Sequence, residues 1–520
     1  MTRKLRPALL VAAVFMAAGC DSALDPEPIG IETVENQLSS AQGAAPFVAS
    51  FYEPLSGLYG SFGAPFVSIV ESGTDDGWPF AQFAGGFKER DVTGGEGEIN
   101  AIWGKSLGDG VGRINFYLDR ESDIDFTGSE GLRDQFRGEA LFMRAFYYFN
   151  LVRLFGEVPI YTESVQTVGE AQLPRSPVPE VYDLIKSDLR QAVDLLPESY
   201  SDGGLGQERG RATSGAARAL LGKVHLTLEE WQSVLDVTAP LSATYSLRDE
   251  YIDNFYGLIQ NTAGENRGEA IFEVQYAEDR QGPQSQIRVS YAPRNVRDGQ
   301  NQILPTDQRY FDTEEGATGP NAFVQTFEEG DARFDVTLSL YPEDGNQLVV
   351  TNALPALDEA GNPVRDAQGN VVFQREYFVR KWYSDVSNQE TRWNIPVLRY
   401  AEVLLMRAEA LAELGQPGPA LDLLDPIRER AGLEPLDGLG GAGAIEAIRH
   451  ERRVELGFEF KRLYDLNRWG ILPSALALQG ITIDPAKITA HPITGKPQVL
   501  YPIPQSELQR NPNATQNAGY

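Results

Sequence analysis

Four separated stretches in which apolar side chains return every three to four residues constrain this chain more than any other feature. Residues 133–155 place Phe136, Ala140, Met143, Tyr147 and Leu151 at helical spacing. Residues 178–196 follow Pro177, carry Val181, Leu184, Ile185, Leu189, Ala192 and Leu196, and stop at Pro197. Residues 213–229 open on Thr213-Ser214, an N-cap, and run through Ala217, Leu220, Leu221, Val224 and Leu228. Residues 399–457 hold at least three helices, broken at Gly415-Gln416-Pro417-Gly418 and at the glycine-rich 438–443. Short strand-like runs, Ala270–Tyr276 and Val371–Tyr383, lie between them, and the aperiodic stretch 279–330 reads as mostly loop. The 51 glycines and 32 prolines supply the breaks. The fold class is therefore mostly α, with a loop-rich, minor-β side.

The helices fit either plain helical hairpins or a fixed period of about 34 residues, the tetratricopeptide repeat. With Ala408 at repeat position 8, Leu404, Leu411, Ala420 and Leu424 fall at positions 4, 11, 20 and 24. With Gly222 at position 8, His225 and Val234 fall at 11 and 20. Small residues at 8 and 20 let two paired helices approach closely. Helices 133–155 and 178–196 would pair likewise across a long insertion.

The 520 residues carry 74 acidic and 45 basic side chains, a formal charge of −29, which speaks against nucleic acid. One cysteine excludes an internal disulfide, and three histidines leave little material for a zinc site. Arg3, Lys4 and Arg6 precede the uncharged stretch Ala8–Gly19, too short for the ~20 apolar residues of a membrane span, so residues 1–19 read as a secretory signal. Ala17-Ala18-Gly19-Cys20 resembles a bacterial lipobox, with Ala17 where Leu is usual. Lipidation of Cys20 is expected; the alternative, an ordinary cleaved signal, leaves an exposed thiol in an oxidising compartment. Residues 20–45 then form a lipidated N-terminus and polar, Pro-broken tether, and folding is expected from residue 46. Loss of residues 1–19 leaves 42 basic against 74 acidic side chains, net −32.

Catalytic motifs are near misses. His450-Glu451-Arg452-Arg453-Val454 starts like a zinc-protease helix but has Val454 where the second His belongs. Gly104-Lys105-Ser106 resembles a phosphate loop, yet Ile99 stands where the earlier Gly is required, and no G-x-S-x-G elbow occurs. Asp75-Asp76 and Glu314-Glu315 are carboxylate pairs of the kind that chance supplies among 74 acids. No enzyme activity, cofactor or metal is expected.

The C-terminal third carries a more specific pattern. Arg399-Tyr400-Ala401-Glu402-Val403-Leu404-Leu405-Met406-Arg407-Ala408-Glu409-Ala410 is followed by Ile427-Arg428-Glu429-Arg430-Ala431-Gly432-Leu433. Then come Ile448-Arg449-His450-Glu451-Arg452-Arg453-Val454-Glu455-Leu456, Phe458-Glu459, Arg462, Asp465-Leu466 and Arg468-Trp469-Gly470. The chain ends Tyr501-Pro502-Ile503-Pro504, Glu507, Asn511-Pro512, Gln516-Asn517-Ala518-Gly519-Tyr520. With Trp103 and Asn115 in one helix, Glu139-Ala140-Leu141-Phe142-Met143-Arg144-Ala145 and Gly156-Glu157-Val158-Pro159, this order resembles the SusD/RagB family of nutrient-binding outer-membrane lipoproteins. The resemblance implies one compact body, with an N-terminal region over 46–260, a C-terminal region over 261–520, and about four tetratricopeptide-like helix pairs. It implies capture of a polysaccharide or oligosaccharide at the cell surface, and delivery to a SusC-like TonB-dependent transporter in the outer membrane. Peptide capture is the alternative within the family, and an envelope helical-repeat scaffold the alternative outside it. The charged C-terminal residues read as structural: Glu451 and Glu455 share a helix face and can hold arginines, and Arg462, Asp465 and Arg468 extend the network beside Trp469. Tyr501–Pro504 reads as a terminal strand pinned to the body.

No family pattern fixes the ligand residues, so they are argued from chemistry. Sugar sites need aromatic platforms flanked by carboxylate, amide or guanidinium groups. The segment 71–83 offers Asp75, Asp76, Trp78, Phe80 and Phe83. A second segment offers Tyr291, Arg294 and Asn295, with Gln302 and Tyr310-Phe311 behind. Trp382 and Trp393 read as structural. The nine lysines among 45 basic residues, and the excess of acid, fit either a high-salt habitat or a lineage-wide bias, or a preference for cationic ligands.

Overall fold

The computed structural model describes residues 37–60, 64–76, 78–79, 82–200, 210–255, 268–276, 285, 287, 311–312, 323–341, 376–382 and 394–520. At 78–79, 82–85, 311–312, 339–341 and 376–378 the description is of the backbone. The signal segment and Cys20 lie outside the described residues.

In chain order the regular helices are α1 Ala41–Ala49, α2 Glu53–Tyr59, α3 Gln82–Glu89, α4 Gly97–Trp103, α5 Gly112–Leu118, α6 Glu130–Phe155, α7 Val178–Leu195, α8 Ser214–Thr227, α9 Trp231–Thr238, α10 Phe334–Thr337, α11 Tyr400–Glu413, α12 Pro417–Asp422, α13 Asp425–Arg430, α14 Gly441–Glu455, α15 Arg462–Trp469, α16 Leu472–Ala477 and α17 Gln505–Arg510. The strands are β1 Trp78–Pro79, β2 Ala270–Val274, β3 Phe311–Asp312, β4 Leu338–Tyr341, β5 Glu376–Val379, β6 Ile395–Arg399, β7 Ile488–Ala490 and β8 Pro497–Val499. They form four two-stranded antiparallel ladders, β1–β3, β2–β6, β4–β5 and β7–β8. The protein is mostly helical.

The centre is α6, in which every residue from Gly138 to Val152 is buried. A helix covered on all faces has neighbours all round it. It packs on α7, α7 on α8, α8 on α9, α9 on α11, and α11 on α12 and α14, so successive helices stack in tandem pairs. The positions chosen from periodicity hold: Phe136, Ala140, Met143, Tyr147 and Leu151 are all fully buried. Thr213 caps α8, its hydroxyl accepting from the Ala216 N–H at 3.1 Å. Gly222 is small for a reason, since a Cβ there would lie 2.5 Å from Thr238 Cγ2 on α9. Ala408 and Ala420 are fully buried.

Three features differ from expectation. Order starts upstream of residue 46, because Ser40 caps α1 through the Gly43 N–H and Leu38 is buried. Trp103 and Asn115 do share one helical run, but α4 and α5 are joined by a π-helical segment, Gly104–Val111. Tyr501–Pro504 is pinned to the body but is not a strand: Pro502 and Pro504 have no N–H to give a ladder. Individual bonds hold it instead, from Tyr501 N–H to Leu154 O (2.8 Å), from its hydroxyl to Ile69 O (2.9 Å), and from Ile503 N–H to Gln516 Oε1 (2.6 Å).

Candidate functional site

The two aromatic segments singled out in the sequence are joined by backbone. Trp78 is registered with Asp312 and Pro79 with Phe311, antiparallel, across more than 230 positions of chain. Phe80, Tyr291, Arg294, Asn295 and Tyr310 lie outside the described residues. Trp78 and Phe83 are placed by backbone, in β1 and α3.

Asp75 and Asp76 are placed in full, and both are buried. They anchor the segment. Arg462 grips Asp75 with two parallel bonds, Nε to Oδ1 at 2.8 Å and Nη2 to Oδ2 at 2.7 Å. Arg453 Nε donates to Asp76 Oδ1 at 2.7 Å, and Gln479 Nε2 to Asp75 O at 2.7 Å. Burial alone raises a carboxyl's pKa, but Arg453 and Arg462 outweigh it at Asp75 and hold it well below the usual carboxylate range. Burial prevails at Asp76, which sits beside the Asp75 charge, and its pKa is raised. Both carboxylates are thus committed to arginines of α14 and α15, and they fix the stretch that leads to Trp78.

Just upstream, Glu71 ends a π-helical turn, Val67–Glu71, and accepts the Phe460 N–H. Burial pushes its carboxyl up to about 8, against the Phe460 bond. Phe458 and Phe460 both adopt left-handed backbone, φ 59° and 61°, which costs a bulky residue of order 1–3 kcal/mol each. Their surroundings enforce it: Trp382 Nε1 donates to Phe458 O at 2.8 Å, and Phe458 stacks edge-on with Phe323 at 5.0 Å. Trp382 is buried; Trp393 lies outside the described residues.

Beneath this lies a buried ionic lattice larger than the sequence revealed. Arg399 uses every donor: Nε on Glu459 (2.7 Å), Nη1 on Glu269 and Glu455 (both 2.6 Å), and Nη2 on the Glu455 carbonyl and Glu459 (2.7 and 2.9 Å). Arg333 grips Asp331 and bridges Glu451 (2.5 Å) to Glu455 (3.1 Å). Glu451 and Glu455 thus share a face and hold arginines, but the arginines come from a turn (Arg333), a strand end (Arg399) and α13 (Arg428, Arg430). Arg452, Asp465, Arg468 and Glu409 form a second chain, capped by Trp469 Nε1 on Glu409 at 2.7 Å. Glu269 and Arg333 stand in segments without periodicity, so nothing in the sequence marked them. Arg144 does the same work upstream, with two bonds to Asp188 on α7 and one to Asn115 Oδ1 on α5. Among the described residues, no group of three or more His, Cys, Asp or Glu is arranged to hold a metal ion.

Comparison with known proteins agrees with this architecture. A model of the SusD family matches residues 268–520, and a second, described as starch-binding associating with outer membrane, matches residues 88–226. SusD-like protein P25 of Formosa agariphila is 27% identical over 550 aligned residues, covering 96% of each chain. The starch-binding protein SusD of Bacteroides thetaiotaomicron is 23% identical, covering 80% of this chain and 77% of that one. A solved laminarin-binding SusD-like protein superposes with a TM-score of 0.70 at 26% identity, covering 93% of this chain and all of that one. Sequence signature, stacked helices and pinned C-terminus converge, and the chain belongs to the SusD/RagB family.

Proposed function

We propose that this protein is a glycan-capture lipoprotein of the outer membrane, anchored through lipidated Cys20, exposed at the cell surface, and partnered with a SusC-like TonB-dependent transporter that takes up the captured polysaccharide or oligosaccharide. The observation that carries the reading is the β1–β3 pairing of Trp78 with Asp312 and Pro79 with Phe311; Phe80 and Phe83 follow β1 in sequence, and Tyr291, Arg294, Asn295 and Tyr310 precede or adjoin β3. Flat aromatic faces stack on sugar C–H surfaces, and amide and guanidinium groups bond hydroxyls. Asp75 and Asp76 act as footing, since both Asp75 oxygens and Asp76 Oδ1 are held by Arg462 and Arg453. The names of relatives support a glycan: starch in one, laminarin in another. The protein acts by binding, with no catalytic step of its own.

Calorimetric titration with starch, laminarin and other polysaccharides, with Trp78→Ala alongside, tests this. Binding to one glycan that the variant loses supports function and platform together. Binding that the variant keeps leaves the function and moves the site toward Tyr291–Tyr310. No binding to any glycan, by a folded protein, sinks glycan capture in favour of peptide capture.

A further inference from the structure

A small cavity walled by α6, α7, α8, α15 and the β7–β8 hairpin opens to solvent at its mouth, and its interior has room for about two water molecules. It shares no residue with the segments around Trp78 or Tyr291. Its walls include Arg153, Arg468 and His491 and no carboxylate, in a chain where acids outnumber bases 74 to 45. Arg468 is spent on Asp465 and Glu409. Arg153 is not. Its guanidinium is clamped between the rings of Phe149 (3.8 Å) and Tyr464 (3.6 Å), with Nε on Phe149 O (3.0 Å) and Nη2 on Asn150 Oδ1 (2.6 Å). Nη1 has no hydrogen-bond partner and Arg153 no ion pair among the described residues. Arg333, Arg399, Arg428, Arg430, Arg452, Arg453, Arg462 and Arg468 each have an acid within 3.4 Å.

Two further walls are polar, more than nine-tenths buried, and unpartnered among the described residues: the Tyr182 hydroxyl (residue 1% exposed) and the Gln498 amide (8%). Their polar atoms stay open to the cavity, so they mark a place where a ligand's polar atoms can bond. His491 Nδ1 accepts the N–H groups of Ile493 (3.4 Å) and Thr494 (3.2 Å), which puts the ring proton on Nε2 as a donor. The nearby acid Glu229 is bound by Lys496.

From this we infer that the cavity is a binding site for the carboxylate end of a small organic acid, the rest of a sugar acid lying at its mouth. The free edge of Arg153, the Tyr182 hydroxyl and His491 Nε2–H supply donors for the carboxylate, and the Gln498 amide, both donor and acceptor, suits a neighbouring hydroxyl. A single unpaired guanidinium matches one negative charge; a phosphate dianion would be left half-neutralised.

The test is calorimetric titration of the full-length chain in detergent with D-glucuronate and glycolate, with methyl glucoside as the neutral control. The acids are expected to bind saturably, with methyl glucoside at least about tenfold weaker, the worth of one charge-assisted bond. Arg153→Met is expected to weaken the acids by about tenfold or more at unchanged helical circular dichroism. Gln498→Leu, which keeps its backbone in the β7–β8 ladder, is expected to weaken glucuronate more than glycolate, and it carries the test should the Arg153 variant misfold. Failure of both acids to saturate, equal binding of methyl glucoside, or full affinity in the variants would overturn the assignment. Glycan capture is unaffected by any of these outcomes.

Discussion

At the scale of single residues, the interior is organised around charges that are dear to bury and dearer to leave unpaired. Arg399 serves Glu269, Glu455 and Glu459 at once, and all four are buried. Arg399→Met removes the cation that joins three buried acids and leaves them to Arg333, Arg430 and Lys381 alone, a loss of ~3–5 kcal/mol. A lower urea midpoint at unchanged slope would report it, and adding Glu459→Gln should return part of the loss. Glu71 works in the opposite sense. Its folded carboxyl titrates at about 8 against 4.5 when unfolded, so the folded state holds a proton that the unfolded state has released. Stability should therefore fall as pH rises between those values, at about 1.4 kcal/mol per unit. Glu71→Gln keeps an acceptor for the Phe460 N–H and removes the titration. Melting curves from pH 5 to 8 should be flatter in the variant, and a parallel decline in both proteins would show that another group is responsible.

At the scale of elements, the sequence was legible wherever one period runs long enough. The α6, α7, α8 and α11 helices repeat every 3.6 residues over about four turns or more, and their buried faces follow. The π-helical segment 104–111 and the two-residue β1 and β3 strands were not legible, because neither has a period to detect. The charged C-terminal face showed as Glu451, Glu455, Arg462, Asp465 and Arg468, while partners such as Arg333 and Glu269 come from irregular segments. Asp75 and Asp76 illustrate the same limit: beside Trp78 they read as sugar-binding groups, and only tertiary structure sets Arg453 and Arg462 against them. Gly222 was legible as a close contact between helices, and that gives a prediction. In Gly222→Ala the new methyl meets Thr238 Cγ2, whose side chain is buried and fixed by a 2.6 Å bond to Val234 O. Alanine favours helix by about 1 kcal/mol over glycine, yet overpacking costs ~1–3 kcal/mol. The clash should win, lowering the melting temperature, and a rise would mean that α9 yields freely.

At the scale of the whole molecule, the question is where the excess acid resides. Fifteen of the buried residues among those described are carboxylic acids, and ten are lysines or arginines. Arg211, Arg430, Arg453, Arg462 and Arg468 bring guanidinium groups inward to pair with them. Among the described residues the interior is thus close to neutral, and the excess acid they carry lies at the surface. Salt acts differently on the two regions. The Debye length shrinks from about 10 Å at 0.1 M to about 3 Å at 1 M, which removes repulsion between exposed acids but hardly reaches buried pairs. Self-repulsion destabilises a compact state, so relieving it should stabilise this one. Melting temperature should therefore rise between low and molar NaCl, and rise less in a variant with several exposed Asp and Glu changed to Asn and Gln. Sodium sulfate would confound the reading by strengthening apolar burial in any protein, so chloride is the salt to use. A melting temperature that falls with NaCl would mean that the ion pairs are solvent-screened after all. One that does not move would make the acidity a compositional habit without physical consequence for folding.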